Sequence, residues 1–476
     1  MKAEIQNKEG ISARQLAQMC KGRLLGNESP DTAVHALCTD SREAEAGVAF
    51  VALRGSRVDG HDYIETAIAN GCRCVICERL PKAEAHTEVA YITVADSEAA
   101  LSALAAARRE NLNATVVAVT GSVGKTTTKD AVAAVLASKK RVYASKGNHN
   151  SVIGMPLSMM EIPKECDCAV LEMGMSGFGE IERMSLAAAP NIAIITNIGT
   201  SHMEALGSRK GICRAKLEIL CGLQTGGTLL LNGDEPLLRG VGGKSYHTLY
   251  VSLSCEKADF YAQNIRILED RTCFDVVTKE GVCQELSIPV CGRHNVYAAL
   301  YAYATGKLLG LCDDEIREGL WHFTCAEMRQ SVYAHKDVYV LEDCYNASPE
   351  SMRAAIDVLA EQATFHSGRS IAVLGDMLEL GKTSDALHRS VGAHLAERGI
   401  DLLVALGAGG EKIAEGAREG GMEEKKILVL SDATHKDAVA RLLSGLVQKG
   451  DTVLFKASRG VRLEQLIQSF KEAYQS

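Results

Sequence analysis

TVVAVTGSVGKTTTKDAVAAVLASKK, residues 115–140, is the stretch on which the fold turns. An apolar, β-branched run ends at Thr120, a turn holding Gly121 and Gly124 follows, and a helical pattern rich in alanine and valine begins at Lys125. Strand, glycine turn and amphipathic helix in that order open a parallel sheet covered by helices. The turn itself, Thr120 to Thr127, has the chemistry of a phosphate-binding loop. Gly121 and Gly124 let the amides of Ser122, Val123 and their neighbours crowd around phosphate oxygens, and the helix N-terminus adds partial positive charge. Lys125 supplies a point charge to the terminal phosphates, and Thr126, followed by Thr127, offers a hydroxyl to Mg²⁺. Only Ser122 and Val123 separate the glycines, fewer than in the commonest form of the motif. The loop is expected to bind ATP or GTP.

Outward from this loop the same rhythm continues. CAVLEMG (168–174), NIAIITNIG (191–199) and GTLLLNGDE (227–235) read as further strands, with helices near 179–188 and 209–220. Upstream lie short mixed elements, joined to the core by the alanine-rich helix SEAALSALAAARRENL (97–112). Downstream a second alternating series runs through VYVLEDC, SIAVLGDM, DLLVALG and DTVLFKAS, another doubly wound unit. A length of 476 residues at about 150 per domain agrees with three units. The expected fold class is therefore α/β: a small mixed α/β N-terminal domain (1–96), a central phosphate-loop parallel-sheet domain (97–320) and a C-terminal Rossmann-like domain (321–476).

Composition narrows the function. Sixty acidic against 52 basic residues leave a net charge of −8 without a long basic run, which argues against nucleic acid as a partner. Met1 to Glu9 lacks the apolar segment of a signal peptide, and no window approaches 18 uncharged apolar residues, so no membrane span is expected. Sixteen cysteines fit a reducing, cytoplasmic setting. Cys74 and Cys77 have CxxC spacing, with Cys72 beside them, but no second ligand pair stands at zinc-ribbon distance, and GCRCVICE reads as a strand.

The phosphate loop alone does not choose among kinase, motor, GTPase and ligase. Glu172 ends a strand where a carboxylate ligand for Mg²⁺ belongs, although a strand-end surface charge would look the same. His202 follows a strand end in NIGTSHMEALGS and reads equally as a ligand or a structural histidine. Lys216, in ICRAKLEIL, reads by spacing as a solvated helix charge, paired with neighbouring Glu218 or lying near the apolar stripe.

Taken together, TGSVGKTT, GNHNSVIGMP, LEMGMSGFGEI, NIGTSHMEALGS, RAKLEI and GRHNVYAAL resemble, in order and approximate spacing, the Mur ligases, ATP-dependent amide-forming enzymes of peptidoglycan precursor synthesis. DCYNASPESMRAAI, LGDMLELG and FKASRGVRLEQLI look most like the member that joins D-alanyl-D-alanine to UDP-N-acetylmuramoyl-tripeptide, and the DNPR motif of the diaminopimelate-adding member is absent. The resemblance implies that Lys125 and Thr126 hold ATP phosphates and Mg²⁺, that Glu172 and His202 are metal ligands, and that Lys216 is a carbamylated lysine ligating a second Mg²⁺. It further implies nucleotide contacts from His294, Asn295, Arg329 and Asp343, UDP-substrate contacts from Ser41 and Arg42, and amino-substrate contacts from Tyr345, Asn346, Ser458 and Arg459. Three positions depart from the family pattern: Ser151, Ala298 and Ser348 stand where asparagine is usual.

The chemistry so implied is transfer of the γ-phosphoryl group to a carboxylate, followed by attack of an amine on the acyl phosphate, carried out by a monomer. A folylpolyglutamate synthase-like ligase keeps the same core with another substrate, and a nonenzymatic nucleotide-dependent scaffold is the alternative from a different class.

Overall fold

A computed structural model describes residues 1–476 apart from 8, 27–32, 56–57, 82–85, 432–434 and 475–476. The chain forms three sheets, one per domain. The first has six strands in the order Lys2–Glu4, Ala36–Cys38, Val48–Val51, Cys74–Cys77, Ala90–Thr93 and Arg23–Leu25, with both edges antiparallel. Cys74 and Cys77 sit on one strand and face opposite cores, because odd spacing in a strand reverses the side chain. The two sulfurs therefore pack as small apolar groups rather than converge.

The central sheet has nine strands in the order Gly281–Ile288, Thr272–Thr278, Phe260–Ile267, His247–Ser252, Thr228–Asn232, Ile192–Ile195, Thr115–Thr120, Cys168–Glu172 and Val142–Ala144. Its inner strands are parallel, and both of their faces are buried, which is why they read as continuous apolar runs. Val117 and Val119 face the helices Lys125–Ala137 and Asn295–Leu308, while Val116 and Ala118 face the opposite layer. The stretch beyond Asn232, silent in the sequence reading, extends this sheet by four strands. The last two are antiparallel, and register shifts in their pairing blur the two-residue alternation.

The helix Ser97–Glu110 belongs to two cores: Ala100, Leu101 and Leu104 pack in the N-terminal one, and Ala105 in the central one. The C-terminal sheet runs Ser331–His335, Val338–Glu342, Thr452–Lys456, Ser370–Leu374, Leu402–Leu406 and Ile427–Leu430, parallel except at the first pairing. Ile267 and Cys291 of the central domain pack into the apolar cluster around the helix Pro349–Phe365, so the two larger domains share an apolar seam. Among the described residues no helix is long and apolar enough to cross a membrane.

Candidate active site

The carboxyl ends of the central strands open into a cleft of about 530 Å³ that the C-terminal domain roofs. This is the edge at which an open parallel sheet collects ligands. The loop Gly121–Gly124 forms its floor. At Gly121, φ is +152°, and an added Cβ would lie 1.8 Å from Thr196 Oγ1. That hydroxyl is committed, donating to Val123 O at 2.6 Å. Gly124 lies in the left-handed region with open space around it, and caps the helix Lys125–Ala137 without a side chain, so the first turn faces the cleft. Asn197 Oδ1 accepts from the amides of Ser122 and Val123 at 3.1 and 3.0 Å, holding the loop open.

Lys125 Nζ curls back onto the carbonyls of Gly121 and Ser122 at 2.8 and 3.2 Å. Burial pushes its pKa down, against the pull of Glu172. Thr126 Oγ1 donates to Glu172 Oε2 at 2.7 Å, and Asn150 Nδ2 donates to the other carboxylate oxygen at 2.7 Å. Glu172 is buried, so the strand-end surface charge is excluded. A carboxylate and a hydroxyl this close are hard oxygen donors at the phosphate end of the cleft, the donor set that suits Mg²⁺ when phosphates complete its shell.

Lys216 differs most from its spacing. Its side chain is not solvated but 2% exposed, and it makes no hydrogen bond or ion pair with any described residue. Burial, with Lys125 nearby, holds its pKa well below the ordinary lysine value. The short helix Arg209–Leu217 turns this position toward the cleft while its apolar neighbours Ile212 and Ala215 enter the core. His202, with φ +61°, also lines the cleft, and its Nδ1 lies 2.7 Å from Glu379 Oε2 of the C-terminal domain. Burial lowers its pKa, and Glu379 opposes that shift. A second clasp joins Thr200 Oγ1 to Glu350 Oε1 at 3.0 Å.

From the roof, Arg329 stacks its guanidinium over Tyr345 at 4.2 Å, and Lys456 Nζ pairs with Asp343 Oδ2 at 2.6 Å. His294, Asn295, Asn346 and Thr127 line the same cleft. Ser458 and Arg459 do not: Ser458 is buried, its Oγ accepting from Leu378 N at 3.0 Å, and Arg459 lies outside the lining, 3.6 Å from Glu464. Ser41 and Arg42 stay in the N-terminal domain, where Arg42 pairs with Asp40 at 2.5 Å. Two of the departures have local uses, since Ser151 Oγ accepts from Gly154 N at 3.1 Å and Ser348 caps the helix Pro349–Phe365. Asn197, Thr196, Gln330 and Lys456 were missed in the sequence. Thr196, Asn197 and Lys456, like Asn150, lie in segments already quoted, whereas Gln330 carries no sequence signal.

A phosphate loop on a parallel sheet, roofed by a Rossmann-like domain, defines a three-domain nucleotide-binding enzyme. The chain matches the Mur ligase middle domain over residues 119–306, the Mur ligase glutamate ligase domain over 328–459 and the Mur ligase family catalytic domain over 33–109. It belongs to the Mur ligase family. Among curated relatives, it is 38% identical over 468 residues to the UDP-N-acetylmuramoyl-tripeptide--D-alanyl-D-alanine ligase of Bacillus subtilis, covering 97% of this chain and 98% of that one. Its identity to the enzyme of the same name from Escherichia coli is 32%, with the same coverage. Among solved structures, MurF from Acinetobacter baumannii superposes with a TM-score of 0.87 at 33% identity, over 97% of this chain and 98% of that one. MurF from Thermotoga maritima, solved with ADP, gives 0.80 at 30% identity over 92% and 97%. Folylpolyglutamate synthase of Mycobacterium tuberculosis, at 16% identity and a TM-score of 0.60, shares the fold.

Proposed function

We propose that this protein is the ADP-forming ligase that joins D-alanyl-D-alanine to UDP-N-acetylmuramoyl-tripeptide in peptidoglycan precursor synthesis. The observation that carries the reading is the single cleft in which the Lys125 loop, the Thr126–Glu172 pair and buried Lys216 face the C-terminal domain. The fold is common to ligases with other substrates, so the choice of substrate rests on full-length relatives at 30% identity and above.

The loop amides and Lys125 hold the phosphates of ATP, and Lys125 offsets the repulsion between the γ-phosphate and the incoming carboxylate. Thr126 and Glu172 would hold one Mg²⁺, and His202 with carbamylated Lys216 a second. These ions supply charge neutralisation at the transferring phosphoryl group. A neutral amine can attack the carbon of carbon dioxide, releasing a proton as the carbamate forms, and burial, which lowers the pKa of Lys216, favours that neutral form. The peptide carboxylate takes the γ-phosphoryl group, giving an acyl phosphate. The amine of D-alanyl-D-alanine then attacks the acyl carbon and phosphate leaves. The acyl phosphate would hydrolyse in water, and the roof formed by the C-terminal domain excludes it. Tyr345 and Asn346 face the amino substrate from that roof, with Ser458 and Arg459 behind them. Ser41 and Arg42 take the UDP portion, some way from the chemistry. The protein acts as a cytoplasmic monomer.

The test is phosphate release in the presence of ATP and Mg²⁺. Release must require both UDP-N-acetylmuramoyl-tripeptide and D-alanyl-D-alanine. Release that ignores the dipeptide, or that prefers a single amino acid, overturns the assignment.

A further inference from the structure

The loop 175–179, between the strand Cys168–Glu172 and the helix Glu180–Ala188, leaves an aromatic ring in the open. Phe178 is 48% exposed, although Met175 in the same loop is buried. The guanidinium of Arg214, on the helix that carries Lys216, lies 5.4 Å from the centre of that ring. Arg214 is itself exposed and pairs with no carboxylate among the described residues. Glu218, one turn further along, is committed elsewhere. Both its oxygens accept from Gly179 N at 2.9 Å and Oε2 also from Glu182 N at 3.4 Å, capping a helix whose N-cap glycine has no side chain to do so. Glu180, at the start of that helix, lines the cleft. Its Oε2 accepts from Ser176 N at 3.1 Å, and no cation among the described residues pairs with it. A carboxylate and a guanidinium thus stand beside one loop without meeting each other.

Their position gives them a use. Arg183 Nη1 and Glu98 Oε2, 2.9 Å apart, tie the helix Glu180–Ala188 to the helix Ser97–Glu110, which packs into the N-terminal core. The loop 175–179 therefore lies on the N-terminal-domain side of the cleft. On the ligase reading the UDP portion sits in that domain and the reacting carboxylate reaches the floor beside Lys125 and Lys216, so the end of the peptide passes this loop. Ser176 and Glu180 line the cleft together with Lys216, and Arg214 comes two residues before Lys216. With the terminal carboxylate on the floor, the side chain of the third residue is what the peptide offers here.

We propose that Glu180 and Arg214, the latter stacked on Phe178, form a specificity subsite for the third residue of the peptide substrate, selecting a side chain that ends in an ammonium and a carboxylate on one carbon over one that ends in an ammonium alone. The inference rests on the ligase reading. Glu180 takes the ammonium in either case. A carboxylate adds a charge-assisted, two-pronged contact to Arg214, whose guanidinium plane Phe178 holds. A side chain with an ammonium alone leaves Arg214 in water, where an unpaired guanidinium costs little. The selection is therefore a gain for the first class of side chain.

UDP-N-acetylmuramoyl-tripeptides ending in meso-2,6-diaminopimelate and in L-lysine differ by this carboxylate, and the ratio of their kcat/KM values is the readout. Unmodified protein should favour the diaminopimelate peptide about tenfold, the size of one hydrogen-bonded charge pair. Arg214→Gln should bring the ratio close to one by raising KM for the diaminopimelate peptide, and Arg214→Lys, which keeps the charge but not the fork, should retain part of the preference. Glu180→Gln still accepts from Ser176 N and should weaken both peptides alike. A general structural defect lowers both peptides and leaves the ratio where it was. Equal use of the two peptides by unmodified protein, a preference for lysine, an unchanged ratio in Arg214→Gln, or full use of both peptides by Glu180→Gln would each overturn the proposal. If neither peptide supports phosphate release with ATP and D-alanyl-D-alanine, the ligase reading fails. Equilibrium binding of the two UDP-peptides to the same proteins then decides the subsite, and equal affinity of unmodified protein for both, or affinity for neither, overturns it.

Discussion

Lys216 is a buried lysine with no counter-charge among the described residues, and removing its amine should make the nucleotide-free protein more stable. The perturbation is Lys216→Met, which keeps the aliphatic length. The native position is 2% exposed, no carboxylate among the described residues pairs with it, and burial together with Lys125 depresses its pKa well below the usual value. A lysine whose pKa is lower folded than unfolded binds fewer protons in the native state between those two values. In that window stability rises with pH, because the unfolded chain holds the extra proton. The slope contributed by one such group reaches about 1.4 kcal/mol per pH unit, and each unit of depression is worth about 1.36 kcal/mol. Lys216→Met should therefore be more stable than the parent below the unfolded lysine pKa. Its advantage should shrink by up to about 1.4 kcal/mol per unit as pH rises through the window, and vanish above it. The assay is urea unfolding of both proteins across pH 6.5–10, in carbonate-free buffer without nucleotide, so that the lysine is unmodified. A Met variant less stable than the parent near neutral pH, or an advantage that does not vary with pH, would refute the reasoning. Activity should move the opposite way, with Lys216→Met folded and inactive.

Three further outcomes follow from the geometry. Gly121→Ala places a Cβ 1.8 Å from Thr196 Oγ1; displacing that hydroxyl costs its bond to Val123 O, and together with the clash should remove about 2–4 kcal/mol of stability. Thermal unfolding reads the loss, and Thr196→Ala should recover part of it. Lys456→Met strands a buried Asp343 carboxylate and should cost about 3–5 kcal/mol, more than Asp343→Asn; equal losses would show that the pair is not acting as a buried ion pair. Glu350→Ala combined with Glu379→Ala removes both clasps onto the loop that carries Thr200 and His202. The nucleotide-free protein should then show a larger radius of gyration in X-ray scattering, and an unchanged value would mean that the remaining contacts, among them the apolar seam at Ile267 and Cys291, are enough to hold the domains together.

The local chemistry of this chain is written in short range. Gly121, Gly124, Lys125 and Thr126 must be adjacent to make a phosphate loop, and the apolar runs at 115–120, 168–172 and 192–195 are continuous because both sides of those strands are buried. Such features can be read along the chain, and the strand–loop–helix unit with the domain rhythm around it was legible there. What the sequence left open were properties that depend on residues far apart. Whether Lys216 is solvated or buried depends on which face of a nine-residue helix meets the core, and the helix Arg209–Leu217 is too short for periodicity to settle it. Glu172 becomes a buried partner of Thr126 and Asn150 only when a helix start and a loop, 46 and 22 residues before it, come to the end of its strand. Lys456 finds Asp343 across 113 positions, at the carboxyl ends of adjacent parallel strands. Gln330 has no motif at all, because its two hydrogen bonds reach Asn295 and His294, 35 and 36 residues earlier, at the start of a helix of the central domain. Covalent neighbours set what each segment can do; which of those capacities meet in one cleft, and which donors and acceptors remain free there, was decided by the packing of one domain on another.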